Sequence, residues 1–408
     1  QQAAAEHQRH HQQQPLPAHS ENVDEELRRI HLALTAVFSP HTPSHPQAKQ
    51  QWWEQRQLAD AYLTSFQTTP VSWMVCDRLL SFQDTSDDVS VQQQRRFFAA
   101  QTLHLKCRVA VNELPPESLP SLRDSLLQHL QNYTSAETGT ASGSASGGYA
   151  ALTTRLSMCI AALAVQMKWT TILPDLLKPL LQHQQLKDGL ALQRAVVLSI
   201  LHVLPEECTS DRLLLEDETI RYVMRDHFVA NSPRVLDFLN SCMMEELKQE
   251  PQGDNVHAIE RVLATLHLWI RHVPVDPTIV AASPLLLSSV QALSQPAYVD
   301  VAADCVVEVL RMYPSHHPNN DALVQTLVPI LFQQLPLEAA LRSDDEDVWK
   351  AYCRIVTEMG ESYMSLILSS QAALPGNTSP RRMVEWVLQC SRISETEIGT
   401  FTHTIRNI

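Results

Sequence analysis

Apolar residues recur every three or four positions along nearly the whole chain after residue 22. This is the spacing of amphipathic α-helices, and the strict alternation typical of half-buried strands is absent. The helical stretches come in pairs, and prolines cluster at helix entries, where a missing backbone N–H costs little. We therefore expect an all-α fold built from helical hairpins.

The pattern places the second helix of each hairpin near residues 47, 89, 149, 189, 256, 297, 346 and 394. Most steps are about 40–60 residues, which is the spacing of HEAT-type hairpins with variable loops. Such repeats stack side by side, so we predict an α–α superhelix, a HEAT/ARM-type repeat solenoid of about eight hairpins. The predicted pairs are 24–39 with 47–66, 70–83 with 89–114, 117–133 with 149–167, 172–183 with 189–204, 232–247 with 256–272, 277–293 with 297–313, 321–342 with 346–368, and 380–393 with a partner ending at 408.

Three segments do not fit the pairing. Residues 1–22 are rich in Gln and His and have no periodic apolar face, so we predict a disordered tail. Its histidines could bind a metal adventitiously, but low complexity explains them more simply. The Gly/Ser-rich stretch 134–148 is expected to be a flexible loop insertion inside a hairpin. Residues 212–230 are expected to form an extra helix between the fourth and fifth pairs.

The net charge of −14 argues against direct binding to nucleic acid or to an anionic membrane, since both require a basic surface. No apolar run reaches the roughly 18 residues needed to cross a bilayer. The 8 cysteines are widely spaced and never form a C-x-x-C motif. We expect them to be buried reduced thiols, which favours a nuclear or cytosolic compartment. The chain begins with Gln and has no secretory leader, so we expect a fragment of a longer protein.

No nucleotide-binding, zinc-protease or serine-hydrolase motif occurs in the sequence. The His316–His317 pair lies in a Pro/Asn-rich turn and is weak evidence for a metal. The acidic run Asp344–Asp347 is expected to favour the positive end of a helix dipole, with an acidic contact for a basic partner as the alternative. Glu358 and Glu361 are expected on exposed helical faces. We expect no catalytic site, no cofactor and no metal centre.

One candidate binding surface lies on the predicted helix 89–114. Arg95, Thr102 and Lys106 fall within about 40° of one another at 100° per residue, so they form a narrow polar line. In a solenoid the second helices line the inner surface, and we expect this line to face the concave side. An ordinary solvated helix face is the alternative.

Short motifs follow one another in a fixed order over nearly everything after residue 50. They include Trp53, Leu63, Phe66, Gln67, Thr69 and Trp73, then Val75, Asp77, Leu79 and Leu80, Ala99–Leu103 with Lys106, Glu113–Pro115, Leu122–Leu126, Ile160–Val165, Val203–Glu207, Ala303–Cys305 and Tyr352–Glu358. Together they resemble the importin-β superfamily (karyopherin-β), in the transportin-SR branch that includes transportin-3 and is related to importin-13.

The resemblance implies a nuclear transport receptor whose N-terminal arch, residues 23–133, grips the GTP form of the small GTPase Ran. Further HEAT repeats would fill 149–408. Within this assignment, Arg95, Thr102, Lys106 and Arg155 are the expected Ran contacts.

The other implied partners are Phe-Gly repeats of nucleoporins and protein cargo, in this branch commonly Arg/Ser-rich splicing factors bound by later repeats. The resemblance also implies shuttling between nucleus and cytoplasm. The chain departs from the family in being less than half its usual length, in its 134–148 insertion, and in carrying Arg155 where relatives often have Gln. A HEAT scaffold without a Ran switch and an export receptor of the same superfamily remain alternatives.

Overall fold

A computed structural model describes residues 22–38, 45–81, 89–139, 146–182, 187–248, 253–335, 337, 345–369 and 380–397. These residues form sixteen α-helices and two short 3₁₀ turns, with no strand among them. The expected all-α architecture of paired helices is therefore confirmed. The chain divides into two compact units, one of residues 1–167 and 212–215 and the other of residues 168–211 and 216–408.

The first unit contains six helices: α1 (Val23–Phe38), α2 (Pro46–Phe66), α3 (Ser72–Ser81), α4 (Val89–Val109), α5 (Leu119–Gly139) and α6 (Ser146–Gln166). Helices α1, α3 and α5 pack in sequence as a row of first helices, and α4 packs against α6 as part of the row of second helices. This is the side-by-side stacking of hairpins that the repeat pattern predicts.

The second unit contains ten helices: α7 (Ile172–Gln182), α8 (Lys187–Thr209), α9 (Thr219–Glu246), α10 (Gly253–His272), α11 (Pro277–Ala282), α12 (Pro284–Ala292), α13 (Val299–Met312), α14 (Asp321–Gln334), α15 (Glu346–Ser369) and α16 (Pro380–Glu397). Its second helices, α8, α10, α13 and α15, pack in succession, and α7, α9, α12 and α14 do the same on the other side. Helix α16 packs on α15.

Helix ends follow local chemistry. The Asn22 side-chain oxygen accepts hydrogen bonds from the backbone N–H groups of Asp24 at 3.0 Å and Glu25 at 3.4 Å, which makes Asn22 the N-cap of α1. Residue 22 was expected to belong to the N-terminal tail, whereas the rest of that tail lies outside the described residues. The predicted helix 277–293 is broken into α11 and α12 because Pro284 has no N–H and forces Ser283 into an extended conformation.

Two other segments also differ from the prediction. The extra helix expected at 212–230 was wrong, because residues 219–246 form the single helix α9, which continues through Pro233. Of the loop expected at 134–148, residues 134–139 and 146–148 are helical, and residues 140–145 lie outside the described residues. Helix α5 continues to Gly139, and α6 begins at Ser146. Within α5, the buried Thr134 hydroxyl donates a hydrogen bond to the Leu130 carbonyl at 2.8 Å.

Helix α6 includes an 18-residue stretch, Tyr149–Gln166, whose length and composition are sufficient for a membrane span. This differs from the sequence-based expectation that no such stretch exists. In the structure 61% of the stretch is buried, and α6 packs against α4 and α5. The burial is that of a core helix in a helical stack.

All eight cysteines are buried free thiols, as expected. The Cys305 thiol donates to the Leu263 carbonyl at 2.8 Å. Burial raises the pKa of Cys208 to about 11 and that of Cys242 to about 12, so both thiols stay protonated near neutral pH. These cysteines therefore pack as small apolar side chains.

Two leucines on α4, one buried and one partly exposed, test the packing of the helical stack. Leu103 is 0% exposed and Leu105 is 40% exposed. We expect Leu103→Ala to lower the free energy of unfolding by about 2–5 kcal/mol, through lost burial and the remaining cavity. The matched variant Leu105→Ala should change it by less than about 1 kcal/mol. Urea unfolding followed by circular dichroism measures both, and equal losses would contradict the described packing.

Candidate functional site

The three residues of the predicted polar line lie on α4, but their side chains are buried. Arg95, Thr102 and Lys106 are 6%, 0% and 1% exposed. The alternative of an ordinary solvated helix face is therefore wrong, because α4 is enclosed by α1, α3 and α6; the expected orientation toward the concave side stays a prediction. Whether these residues contribute to binding Ran stays a prediction.

Lys106 is the centre of a buried polar cluster. Its ammonium donates to the Thr69 carbonyl at 2.8 Å and pairs with a Glu113 carboxylate oxygen at 2.5 Å. It also lies 5.4 Å from the centre of the Trp73 ring, and the Trp73 indole N–H donates to Glu113 at 3.1 Å. A buried ammonium is tolerated when it is paired and hydrogen-bonded in this way. Lys106 thus joins the turn before α3 to the 3₁₀ turn after α4.

Thr102 belongs to a second contact between the hairpins. Its hydroxyl donates to the Phe98 carbonyl at 2.8 Å and accepts a hydrogen bond from the Gln67 amide at 3.2 Å. Beside it, the rings of Phe66 and Phe98 stack with their centres 6.2 Å apart. These contacts hold the end of α2 against the middle of α4.

Arg155 on α6 is the one residue of the predicted four whose side chain is partly exposed. Its guanidinium lies 3.3 Å from the His104 ring nitrogen Nδ1 and 5.8 Å from the centre of the Phe97 ring. The Arg155 side chain of α6 therefore packs against α4. Arg95 and Lys106 are eleven residues apart, about 16 Å along the helix.

A polar cluster between α3 and α5 was not predicted. The Ser125 hydroxyl donates to the Asp77 carboxylate at 2.6 Å, and the His129 ring nitrogen Nε2 lies 3.1 Å from the same oxygen. Asp77 and Ser125 both stand in motifs of the sequence, and Ser125 and His129 are i, i+4 neighbours on one helix face, so the spacing contained a signal. Because the serine proton is directed to the aspartate, the arrangement joins two helices and does not activate a nucleophile.

In the second unit, charged side chains cross the row of second helices. Glu358 was expected on an exposed face, but it is buried on α15 and accepts a hydrogen bond from Arg311 of α13 at 3.0 Å. Arg311 also lies 3.4 Å from Glu308, which is buried too. One arginine therefore satisfies two carboxylates at a helix–helix contact.

The remaining candidates have local roles. The Asp345 carboxylate accepts the Val348 backbone N–H at 3.3 Å at the start of α15, which confirms the expected capping role within the acidic run. The His317 ring packs edge-on against Tyr313, with ring centres 5.4 Å apart. In the part of the chain that the structure describes, no group of three or more His, Cys, Asp or Glu residues is arranged to hold a metal ion. His7, His10 and His11 lie outside that part.

Two family models match this chain. The model described as Exportin 1-like protein matches residues 150–306, and the one described as Transportin-3/Importin-13 second TPR domain matches residues 344–405. In both matched regions the described residues form packed helices. The second match includes α15 and α16.

Curated relatives extend the similarity over most of the chain. Transportin MOS14 of Arabidopsis thaliana is 26% identical over 358 residues, which cover 84% of this chain and 32% of that protein. The mRNA transport regulator MTR10 of Saccharomyces cerevisiae is 25% identical over 362 residues, covering 84% and 33%. Human importin-13 is 23% identical over 319 residues, covering 77% and 30%. The chain thus spans about a third of the length of these relatives.

The stacked helical hairpins define a HEAT-type repeat protein. Within that class the family matches and the relatives confirm the resemblance seen in the sequence motifs: the chain is similar to nuclear transport receptors of the importin-β family, in the transportin-3 and importin-13 branch.

We expect Lys106→Glu to destabilise the first unit, because it places two carboxylates together in a buried cluster. The loss in unfolding free energy should be about 3 kcal/mol or more. Lys106→Met should cost less, since the partly exposed Glu113 stays hydrated. The control Lys248→Glu alters an exposed ion pair and should cost less than about 1 kcal/mol. Urea unfolding measures all three. Parental stability of Lys106→Glu would contradict the structural role of the lysine.

The Asp77 cluster predicts an acid sensitivity. Hydrogen bonds from His129 and Ser125 hold the pKa of Asp77 below its usual 3.8. Because the folded-state pKa is lowered, this contribution is present above pH 3.8 and is lost as the pH falls through the folded value. The stability difference between the parent and Asp77→Asn should therefore shrink as the pH falls from neutral to below 3.8. Urea midpoints across that range measure it. With Asp226→Asn, which removes an exposed carboxylate, no comparable trend is expected.

Proposed function

We propose that this chain is the Ran-binding portion of a nuclear transport receptor. It would hold protein cargo in the cytoplasm and release it in the nucleus when Ran-GTP binds. The observation that carries the proposal is the similarity to transportin, MTR10 and importin-13 over more than three quarters of the chain. These relatives continue beyond the matched part, so cargo and direction are proposed for the receptor as a whole.

The charge distribution supports a partner-binding role for the first unit. Helices α4 and α6, which pack against each other, contain no acidic residue in a chain of net charge −14. Their five cationic residues are Arg95, Arg96, Lys106, Arg108 and Arg155. Positive charge at a surface steers an acidic protein partner toward it and raises the association rate; of these five charges, that of Lys106 is offset by its ion pair with Glu113.

Burial divides the four proposed Ran contacts into two roles. Arg155 is partly exposed and already stacks beside Phe97, so it suits direct contact with the GTPase. Thr102 and Lys106 are bonded to the end of α2 and to the turns around α3, so they suit holding the second helices in place. Arg95 contributes to the positive potential from within the same helix.

The further partners follow from the family resemblance. We propose that nucleoporin Phe-Gly repeats bind weakly, that cargo of the Arg/Ser-rich splicing-factor class binds mainly to later repeats, and that the receptor shuttles between nucleus and cytoplasm. Competition between Ran-GTP and cargo for one receptor is a coupling free energy between two ligands. Export is the second candidate direction, since residues 150–306 match an Exportin 1-like model. In an export receptor Ran-GTP would strengthen cargo binding.

The nucleotide state of Ran tests the proposal. We expect this chain to bind GTP-loaded Ran at least about tenfold more tightly than GDP-loaded Ran, a difference of about 1.4 kcal/mol. Surface plasmon resonance with immobilised chain measures both affinities. Equal affinity for the two forms would leave a HEAT scaffold without a Ran switch as the better description.

Arg155→Glu tests the proposed contact. A charge reversal at an interface rim mainly lowers the association rate and changes its salt dependence. We expect slower association with Ran-GTP and unchanged unfolding, because the side chain is partly exposed. Arg381→Glu on α16, where the side chain is 88% exposed, is the matched control and should associate at the parental rate. Parental kinetics for Arg155→Glu would remove Arg155 from the interface.

A further inference from the structure

Two of the buried cysteines contact each other. Cys353 lies on α15 and Cys390 on α16, two helices that pack together, and each residue is 6% exposed. A hydrogen bond joins the two thiols, and this bond together with burial raises the pKa of Cys390 well above its usual 9.0. Cys305 of α13 is also buried, but its thiol donates to a backbone carbonyl. Cys353 and Cys390 therefore form a buried dithiol.

The position of Cys390 is set by an aromatic contact one helical turn earlier. Trp386 of α16 is 1% exposed, and its ring stacks on that of Phe332 of α14 with the ring centres 5.1 Å apart. Residues four positions apart lie on the same face of an α-helix, so the face that buries Trp386 also buries Cys390. The stacked rings thus determine which side of α16 faces the helices it packs on.

Contacts on either side of Cys353 hold its position on α15. The Tyr352 hydroxyl donates to the Leu293 carbonyl at 2.7 Å, and Arg354 forms an ion pair with Asp304 of α13. Both sequence neighbours of Cys353 are therefore bonded to other elements, which limits rotation of α15 about its axis. The two thiols are held together by the packing of helices and not by a loop.

Two thiols in contact can be joined by a hydroperoxide. The sulfur of one thiol attacks the peroxide O–O bond, which gives a sulfenic acid and releases one water. The second thiol then attacks the sulfenic sulfur, which closes the disulfide and releases a second water. The two thiols together lose two electrons and two protons, and one molecule of hydrogen peroxide is reduced to two of water.

We propose that Cys353 and Cys390 form a reversible disulfide under hydrogen peroxide, and that this bond links α16 covalently to α15. Disulfides in the nucleus or cytosol are usually transient and redox-sensing, and a pair of contacting thiols is suited to that role. The inference concerns the packing of two helices and does not rest on the proposed Ran binding.

The raised pKa determines when the reaction occurs. The thiolate is the form that reacts with peroxide, so the packed pair stays reduced at low peroxide concentrations. Local separation of α16 from α15 exposes the thiols to solvent, and repacking brings the second thiol to the oxidised one. The disulfide then opposes renewed separation, because it removes conformational freedom from the opened state.

Peptide mapping of the oxidised full chain tests the proposal. The folded chain is treated with hydrogen peroxide, its remaining thiols are alkylated in urea, and non-reduced tryptic peptides are identified by mass spectrometry. Trypsin places the two cysteines in separate peptides, 351–354 and 383–392, each with one cysteine. We expect these two peptides to be joined by a disulfide that dithiothreitol cleaves. Cys305 is the buried control and should be recovered as an alkylated thiol.

Two outcomes of this mapping would overturn the proposal. One is the lack of the linked peptides at a peroxide concentration that already oxidises Cys305. The other is a link between Cys353 and Cys390 of different chains, detected after isotope-labelled and unlabelled protein are mixed before oxidation.

Cys390→Ser separates the chemistry from folding. Serine is close to cysteine in size and can keep a hydrogen bond, so the unfolding curve should stay cooperative, and Cys353 should be recovered alkylated. Cys305→Ser is the matched variant and should retain the linked peptides. In the parent, oxidation should slow amide hydrogen exchange in α16 at least about tenfold, with no such change in Cys390→Ser. Equal exchange before and after oxidation of the parent would show that the disulfide does not hold α16 and would overturn the proposed link.

Discussion

In the part of the chain that the structure describes, helical hairpins bury their apolar stripes against the hairpins beside them, and the other features of the fold follow from this constraint. In the first unit α4 lies between α3 and α6, and in the second unit α10 lies between α8 and α13. Contacts are therefore made between elements that are close in sequence. The fold grows by addition of neighbours, which is why periodicity along the sequence is so informative about it.

Polar side chains at the helix contacts give these apolar rows their register. Lys106 joins two inter-helix turns in the first unit, Asp77 joins α3 to α5, and Arg311 joins α13 to α15. A buried charge contributes little net stability when it is paired, but removing its partner is costly. Such groups exclude packings that would leave them unpaired. Glu358, which sequence reasoning placed on an exposed face, therefore helps to align neighbouring repeats through its contact with Arg311.

The packing of neighbouring hairpins also distinguishes residues that can contact a partner from residues that only support the helices. A partner gripped by the second helices touches only what those helices leave exposed, and on α4 and α6 that includes Arg155 but not Lys106. Electrostatic attraction acts over a distance set by screening, so it does not require contact. A protein partner can thus be attracted by residues it does not contact. The proposed Ran interface would therefore consist of the partly exposed Arg155 beside the basic helix α4.

The amino-acid sequence alone was sufficient to predict the all-α class, the pairing of helices, most helix positions and the family resemblance, because amphipathic periodicity and short motifs are local properties. It also indicated the buried cysteines, which lie on apolar stripes. The tertiary structure alone decided that α9 runs unbroken through Pro233, since neighbouring helices hold it in place. Only the tertiary structure could show that Thr102 and Lys106 face inward, because a polar stripe on one helix does not reveal whether solvent or a paired carboxylate on another turn will satisfy it.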